Sequence, residues 1–155
     1  MKKAWKLVKK MSEVFKFKNI MVGVDISEDA QKAFHYAVER AHIDAAKLLI
    51  VSILETDNMN VYQAMDNNYI KSEREKLMAR LLTYQQYALA HGVKEVETYT
   101  GEGDVAEVIV KTILPNVTAD LLVVGSNDKK GLIGYFGSHA AYIAKNAPIS
   151  VMVVR

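Results

Sequence analysis

The chain has 155 residues, of which 50% are hydrophobic and 25% charged, which is the usage of a single globular domain and argues against a disordered chain. Its net charge of +2 implies no general attraction to nucleic acid, so we expect no nucleic-acid partner. The absence of cysteine excludes disulfides, thiolate metal sites and a cysteine nucleophile.

The first 15 residues are predicted to form a basic amphipathic arm, followed by a domain over residues 16–155. A helix there would gather apolar side chains on one face, namely Ala4, Leu7, Val8, Met11 and Phe15, with lysines elsewhere. Such a helix could lie on a membrane surface or bind a partner. It could instead dock on its own protein or a dimer partner, or fray. The second group of alternatives is favoured, and we expect no membrane contact.

The arm is not a secretory signal, because lysines interrupt its apolar positions. No apolar run in the chain approaches the roughly 18 residues needed to cross a bilayer. We therefore predict a cytoplasmic location.

Strand and helix patterns alternate after the arm. The sequence predicts a strand over 19–24, a helix from about 27 to 41, and a strand over 48–54. A polar loop over 55–68 and a helix over 69–91 follow, and then a strand over 93–99. The last third predicts a helix over 104–113, a strand over 121–124, a glycine-rich loop, a helix over 138–146 and a strand over 149–154.

Strands separated by helices require crossover connections. The predicted strands are continuous apolar runs, which is typical of parallel strands buried on both faces. The sequence therefore predicts an α/β fold, an open doubly wound sheet of five parallel strands with helices on both faces.

Several polar or glycine positions fall where ligands bind in such sheets, beyond the carboxyl ends of the strands. Asp25 follows the first strand, Gly101 and Gly103 follow the third, and the segment from Gly125 to Ser138 follows the fourth. Glycine and serine at a helix start suit a phosphate, because the backbone N–H groups are open to it. Ordinary helix capping also produces a Gly-Ser start.

No catalytic or metal-binding set can be assigned from the sequence. The four histidines form no HExxH pair, and Ser138 and His139 diverge by about 100° on a helix, which does not suit a nucleophile and its base. The chain has neither a Walker motif nor a G-x-G-x-x-G fingerprint after the first strand.

Four segments in order resemble the universal stress protein family (UspA type): IMVGVDISEDAQKAFHYAVERA, GEGDVAEVIVKTI, ADLLVVGS with its glycine loop and GS, and APISVMVVR. The resemblance covers residues 18–155. It implies a Rossmann-like fold with strand order 3-2-1-4-5, a role in stress response, ATP as ligand with or without Mg²⁺, and a homodimer through the fifth strand.

The resemblance also implies a set of ligand contacts. Nucleotide-binding members carry G-x2-G-x9-G-[S/T] after the fourth strand, which places phosphate and ribose near Gly125, Ser126, Gly137 and Ser138. The adenine side would meet Asp25 and Ile53, with Gly101 and Gly103 nearby.

The loop departs from the family pattern in two ways. Asp128 replaces the second glycine, and the loop is one residue short. The carboxylate could repel phosphate or hold a bridging Mg²⁺, while Lys129 and Lys130 with two further glycines could compensate. Two alternatives to a nucleotide-binding regulator therefore stay open: an interaction module of the same fold that binds no nucleotide, and a slow ATPase.

Overall fold

The computed structural model describes residues 1–12, 15–126 and 137–155, with the side chains of residues 11 and 12 left aside. The elements of the first half are α1 (Lys2–Ser12), β1 (Asn19–Gly23), α2 (Glu28–Asp44), β2 (Lys47–Leu54), a 3₁₀ turn (Thr56–Asn58), α3 (Val61–Met65) and α4 (Asn67–Ala90). Those of the second half are β3 (Val96–Glu102), α5 (Val105–Glu107), a π-helical segment (Val108–Ile113), a 3₁₀ turn (Leu114–Asn116), β4 (Leu121–Gly125), α6 (Ser138–Asn146) and β5 (Ser150–Val154).

The five strands form one parallel sheet in the order β3-β2-β1-β4-β5, which confirms the predicted architecture. β1 lies in the centre, where Met21 pairs with Leu49 of β2 on one side and Leu122 of β4 on the other. β3 and β5 are the two edges.

The sheet is covered on both faces, as its continuous apolar strands predict. Alternate strand residues point to opposite sides. Ile20 and Leu48 pack with Phe34 of α2 and Leu81 of α4. On the other face, Met21, Leu49 and Leu122 of the sheet pack with Ile109 of the π-helical segment and Ile143 of α6.

Helix starts follow the predicted capping chemistry. The Ser27 hydroxyl accepts a hydrogen bond from the Ala30 N–H and caps α2. The Asp104 carboxylate accepts from the Glu107 N–H at 2.9 Å and caps α5. Each side chain satisfies a donor that a first helical turn leaves without an intrahelical partner.

Two of the differences from the predicted elements concern the segment 55–68 and the third strand. The segment expected to be a loop contains α3, which begins with a reciprocal capping box between Asn60 and Gln63. β3 begins at Val96 rather than Val93, because the Val93 N–H instead donates to Ala88 and closes the end of α4. β3 then continues through Gly101, which therefore lies inside the strand and not in a turn.

The arm forms the predicted helix, but its apolar side chains lie in solvent. Trp5 is 69% exposed, Leu7 61% and Val8 58%, and residues 1–10 are all exposed. α1 therefore does not bury this face against its own domain. Across the described ranges, no helix combines the length and hydrophobicity that a membrane crossing requires.

Candidate functional site

A cleft opens at the carboxyl edge of the sheet, where β1 and β4 end. The space between its lining residues is about 580 Å³, including the part open to solvent. Of the predicted site residues, Asp25, Ile53 and Gly125 line it. The remaining described lining residues include Gly23, Val24, Ser27, Ala30, Val51, Glu55, Val105, Ile109, Val124, His139, Ala140 and Ile143.

The deep side of the cleft exists because β2 is longer than its neighbour β1. β1 ends at Gly23, opposite Val51, while β2 runs on to Leu54. In a parallel ladder, the peptide groups of alternate residues point to opposite sides. The peptide groups of Lys47 and Val51 form hydrogen bonds on the β1 side of β2. The peptide groups of Ile53 therefore point to the same side, into the space beyond the end of β1.

The peptide groups next to this opening are already used. The Val24 N–H donates to the Val51 carbonyl at 2.8 Å, and the Ser52 hydroxyl donates to the Val24 carbonyl at 3.1 Å. The N–H and C=O of Ile53 lie side by side at the cleft and form a donor and an acceptor with which a flat heterocycle could pair.

Asp25 is exposed at the mouth of the cleft but held in place. One carboxylate oxygen accepts the Ser27 N–H at 2.6 Å. The main-chain carbonyl of Asp25 accepts from the Gln31 amide at 2.9 Å and from the Tyr84 hydroxyl at 3.2 Å. Gln31 and Tyr84 are also hydrogen-bonded to each other. The carboxylate is therefore presented to solvent from a rigid backbone.

A glycine is needed at position 125 because the backbone there packs closely against α2. A Cβ atom built there would lie 2.6 Å from the Ala30 nitrogen and 2.6 Å from the Asp29 carbonyl carbon. These are backbone atoms of the first turn of α2, so only glycine lets β4 end against this helix. Gly125 shapes the cleft by allowing this approach.

The two glycines near the end of β3 are also structural. A Cβ at Gly101 would lie 2.5 Å from a methyl group of Val108. Gly103 has φ of +124°, a conformation that side-chain-bearing residues rarely adopt. Between them, Glu102 forms a two-point ion pair with Arg74 of α4, with N–O distances of 2.5 and 3.0 Å, and this pairing lowers the pKa of the Glu102 carboxyl.

Ser126 is fully buried and lies outside the lining of the cleft. Its hydroxyl donates to an Asp29 carboxylate oxygen at 2.6 Å, and its N–H donates to the Val154 carbonyl at 2.8 Å. These bonds join the ends of β4, β5 and α2. The Ser126 hydroxyl is consequently engaged within the protein.

Gly137 and Ser138 stand at the start of α6. The Gly137 N–H donates to the Ser126 carbonyl at 2.9 Å, so this group is occupied. No side chain of the described residues caps α6, and its first N–H groups belong to Ser138, His139 and Ala140. His139 and Ala140 line the cleft, whereas the Ser138 side chain lines a neighbouring hollow. The start of α6 can offer backbone donors to an anion.

Several lining residues were not predicted from the sequence. Val105 and Ile109 are four apart, as are His139 and Ile143, and each pair turns one helical face to the cleft. This spacing of four residues is the sequence signal that could have identified them as lining residues. His139 also lies near Asp104, with 3.7 Å between Nε2 and the nearest carboxylate oxygen.

The described lining is acidic. It carries Asp25 and Glu55 but neither lysine nor arginine. Asp128, which departs from the family loop pattern, and Lys129 and Lys130, which could compensate for it, lie outside the described residues. No group of three or more histidine, aspartate or glutamate side chains suited to a metal ion occurs in the parts of the chain that the structure describes.

Comparison with known proteins identifies the family. The model of the universal stress protein family matches residues 16–155. The chain belongs to the universal stress protein family. A protein of Staphylococcus aureus (strain USA300), named for the same family, is 31% identical over 140 residues, which cover 90% of this chain and 84% of the relative.

Solved universal stress protein structures share the fold. The UspA protein from Lactobacillus plantarum superposes with a TM-score of 0.77 and 25% identity, over 90% of this chain and 99% of that one. A universal stress protein in complex with cAMP gives 0.69 and 24%, over 90% and 98%. The Archaeoglobus fulgidus protein in complex with dAMP gives 0.64 and 20%, over 91% and 100%.

Proposed function

We propose that this universal stress protein binds an adenine nucleotide, with ATP as the expected ligand, in the cleft at the carboxyl edge of the sheet. It would act in the cytoplasm as a regulator of stress response, as a homodimer paired through β5. The observation that carries the proposal is the overhang of β2, meaning its extension past Val51 to Leu54, beyond the end of β1. This overhang presents the Ile53 peptide groups to the cleft.

The peptide groups at the overhang of β2 are complementary to the hydrogen-bonding edge of adenine. The adenine edge carries an amino donor beside a ring-nitrogen acceptor, which is the complement of the adjacent C=O and N–H of Ile53. Aliphatic side chains of Val51, Ile109 and Ile143 line the same cleft and would contact the ring faces. The two relatives whose structures hold cAMP and dAMP bind ligands that share this base.

The polar parts of a nucleotide have partners as well. The exposed Asp25 carboxylate is an acceptor for donors of the nucleoside. The backbone N–H groups at the start of α6 would meet the phosphates. Mg²⁺ usually binds through phosphates and one or two carboxylates, so a cation arriving with ATP could use Asp25 or Glu55 of the acidic lining.

ATP binding is expected to stabilise the protein. At about 100 times its dissociation constant, ATP with Mg²⁺ should add about 2.7 kcal/mol to the free energy of unfolding. Thermal melts and calorimetric titration measure this. A flat titration and an unmoved melting temperature at millimolar ATP would remove ATP as the ligand and favour an interaction module.

Asp25→Ala tests the mouth of the cleft. Losing a charged hydrogen-bond acceptor should weaken binding by roughly 10- to 100-fold. Glu39→Ala is the matched control, because it removes an exposed carboxylate from α2 away from the cleft. Equal affinities of the two variants would exclude Asp25 as a contact.

Gly137→Val tests the phosphate side. Gly137 has φ of −54° and ψ of 149°, which valine can adopt, so we expect the variant to fold. The added side chain at the helix start should abolish binding by excluding phosphate from the N–H groups of α6. Circular dichroism verifies the fold, and wild-type affinity in this variant would show that phosphate does not approach α6.

A further inference from the structure

The helix α1 separates charge from hydrophobicity along its whole described length. Successive residues are about 100° apart around a helix. The five lysines of α1 fall within an arc of about 120°, and they are Lys2, Lys3, Lys6, Lys9 and Lys10. The apolar residues occupy the opposite side, and they are Ala4, Trp5, Leu7 and Val8. No acidic residue interrupts either face.

The apolar face of α1 is uncovered. Trp5, Leu7 and Val8 are all exposed, and Phe15, beyond the end of the helix, is 65% exposed. Large apolar side chains gathered in one exposed patch indicate a contact surface. The sequence alone favoured docking on the protein itself or on a dimer partner, or fraying, and in the structure the arm's own domain does not cover these side chains.

The arm also concentrates the positive charge of the chain. Residues 1–18 hold seven of the 20 basic residues and one of the 18 acidic residues. Residues 19–155 therefore hold 13 basic and 17 acidic residues, a net charge of −4 against +6 for the first 18. The net charge of +2 for the whole chain is therefore the sum of a cationic N-terminal segment and an acidic domain.

We propose that α1 is a peripheral anchor for an anionic lipid bilayer. It would lie in the plane of the surface with Trp5, Leu7 and Val8 at the acyl boundary and the lysines among the headgroups. An anionic bilayer complements both faces at once, whereas a second copy of α1 packed on the apolar face would leave the lysines on the outer sides without an anionic partner. The inference rests on the arm alone and is independent of nucleotide binding.

Trp5 gives a direct probe, because it is the only tryptophan of the chain. The full-length protein should co-sediment with vesicles of equimolar phosphatidylcholine and phosphatidylglycerol, and Trp5 emission should shift to the blue as the ring leaves water. Vesicles of phosphatidylcholine alone should produce neither effect, and high salt should release the protein by screening the lysines.

Paired variants separate the two faces. Lys6→Glu with Lys10→Glu should weaken vesicle binding by at least about 25-fold, since each basic residue near an anionic surface contributes about fivefold. Lys71→Glu with Lys94→Glu makes the same charge change at exposed positions of the domain and should leave binding unchanged. Leu7→Ser with Val8→Ser keeps the charge and should abolish the blue shift.

Three results would overturn the proposal. One is the absence of co-sedimentation with the anionic vesicles, and another is equal binding to both kinds of vesicle. The third is a blue shift that rises with protein concentration without lipid and is lost in Leu7→Ser, which would assign the face to a second copy of the chain.

Discussion

Gly125→Val should destabilise the protein by at least about 3 kcal/mol, a large part of the 5–15 kcal/mol that stabilises a typical domain. A side chain there meets the Ala30 nitrogen and the Asp29 carbonyl carbon at 2.6 Å. Both are backbone atoms of a capped helix start, so β4 and α2 must separate. Separation would also stretch the bond from Ser126 to Asp29.

Gly23→Ala is the matched control for this substitution. It adds a Cβ at the end of the neighbouring strand, where the nearest atoms, in Val124 and Ile109, are 3.6 and 3.8 Å away. These are ordinary contacts, so its cost should stay within about 1 kcal/mol. Urea denaturation measures both. Wild-type stability of Gly125→Val would show that β4 does not require this close approach.

Val153→Lys should shift the proposed homodimer to monomer. β5 is an edge strand, and the Val154 carbonyl accepts the Ser126 N–H on the β4 side. Because the peptide groups of successive residues point to opposite sides of a strand, those of Val151 and Val153 point away from β4. A second copy of the chain could pair with them there across a two-fold axis. Both side chains are only half-buried in the monomer.

The expected cost of a lysine buried at that interface without a counter-charge is about 3 kcal/mol, or roughly a hundredfold in the dimer dissociation constant. Ile43→Lys is the control, because Ile43 is 61% exposed and lies near the C-terminal end of α2. Light scattering distinguishes the two states. A wild-type monomer at tens of micromolar, or a dimer that survives Val153→Lys, would contradict the β5 interface.

Much of the fold was predictable from local patterns. Apolar runs such as LLIVSIL and LLVV are too short for most helices and alternate with amphipathic segments, so a parallel sheet followed directly. The caps at Ser27 and Asp104 were predictable because the bonding partner is only three residues away. The short helix α3 could not be predicted because five residues are too few to establish a helical period, and they lie in an Asn-rich segment.

The site was predictable in position but not in detail. Asp25 could be placed at the carboxyl edge because it follows the first strand, whereas Ile53 was implied by the family resemblance, and both line the cleft. The sequence could not show that the Ser126 hydroxyl is used by Asp29, which is 97 residues away along the chain. Nor could it show that Gly125 accommodates helix α2, since that requires knowing which backbone lies opposite.

The overhang of β2 has a consequence for how base preference can change. In the proposed site, the groups that would pair with a base are the main-chain N–H and C=O of Ile53, and every residue except proline has both. Exchanging Ile53 for valine or leucine would alter the fit of the ring and hence affinity, but leave the hydrogen-bonding pattern intact. A preference for adenine would then persist when the lining side chains are substituted. Loss of that preference would require a change in the relative lengths of β1 and β2.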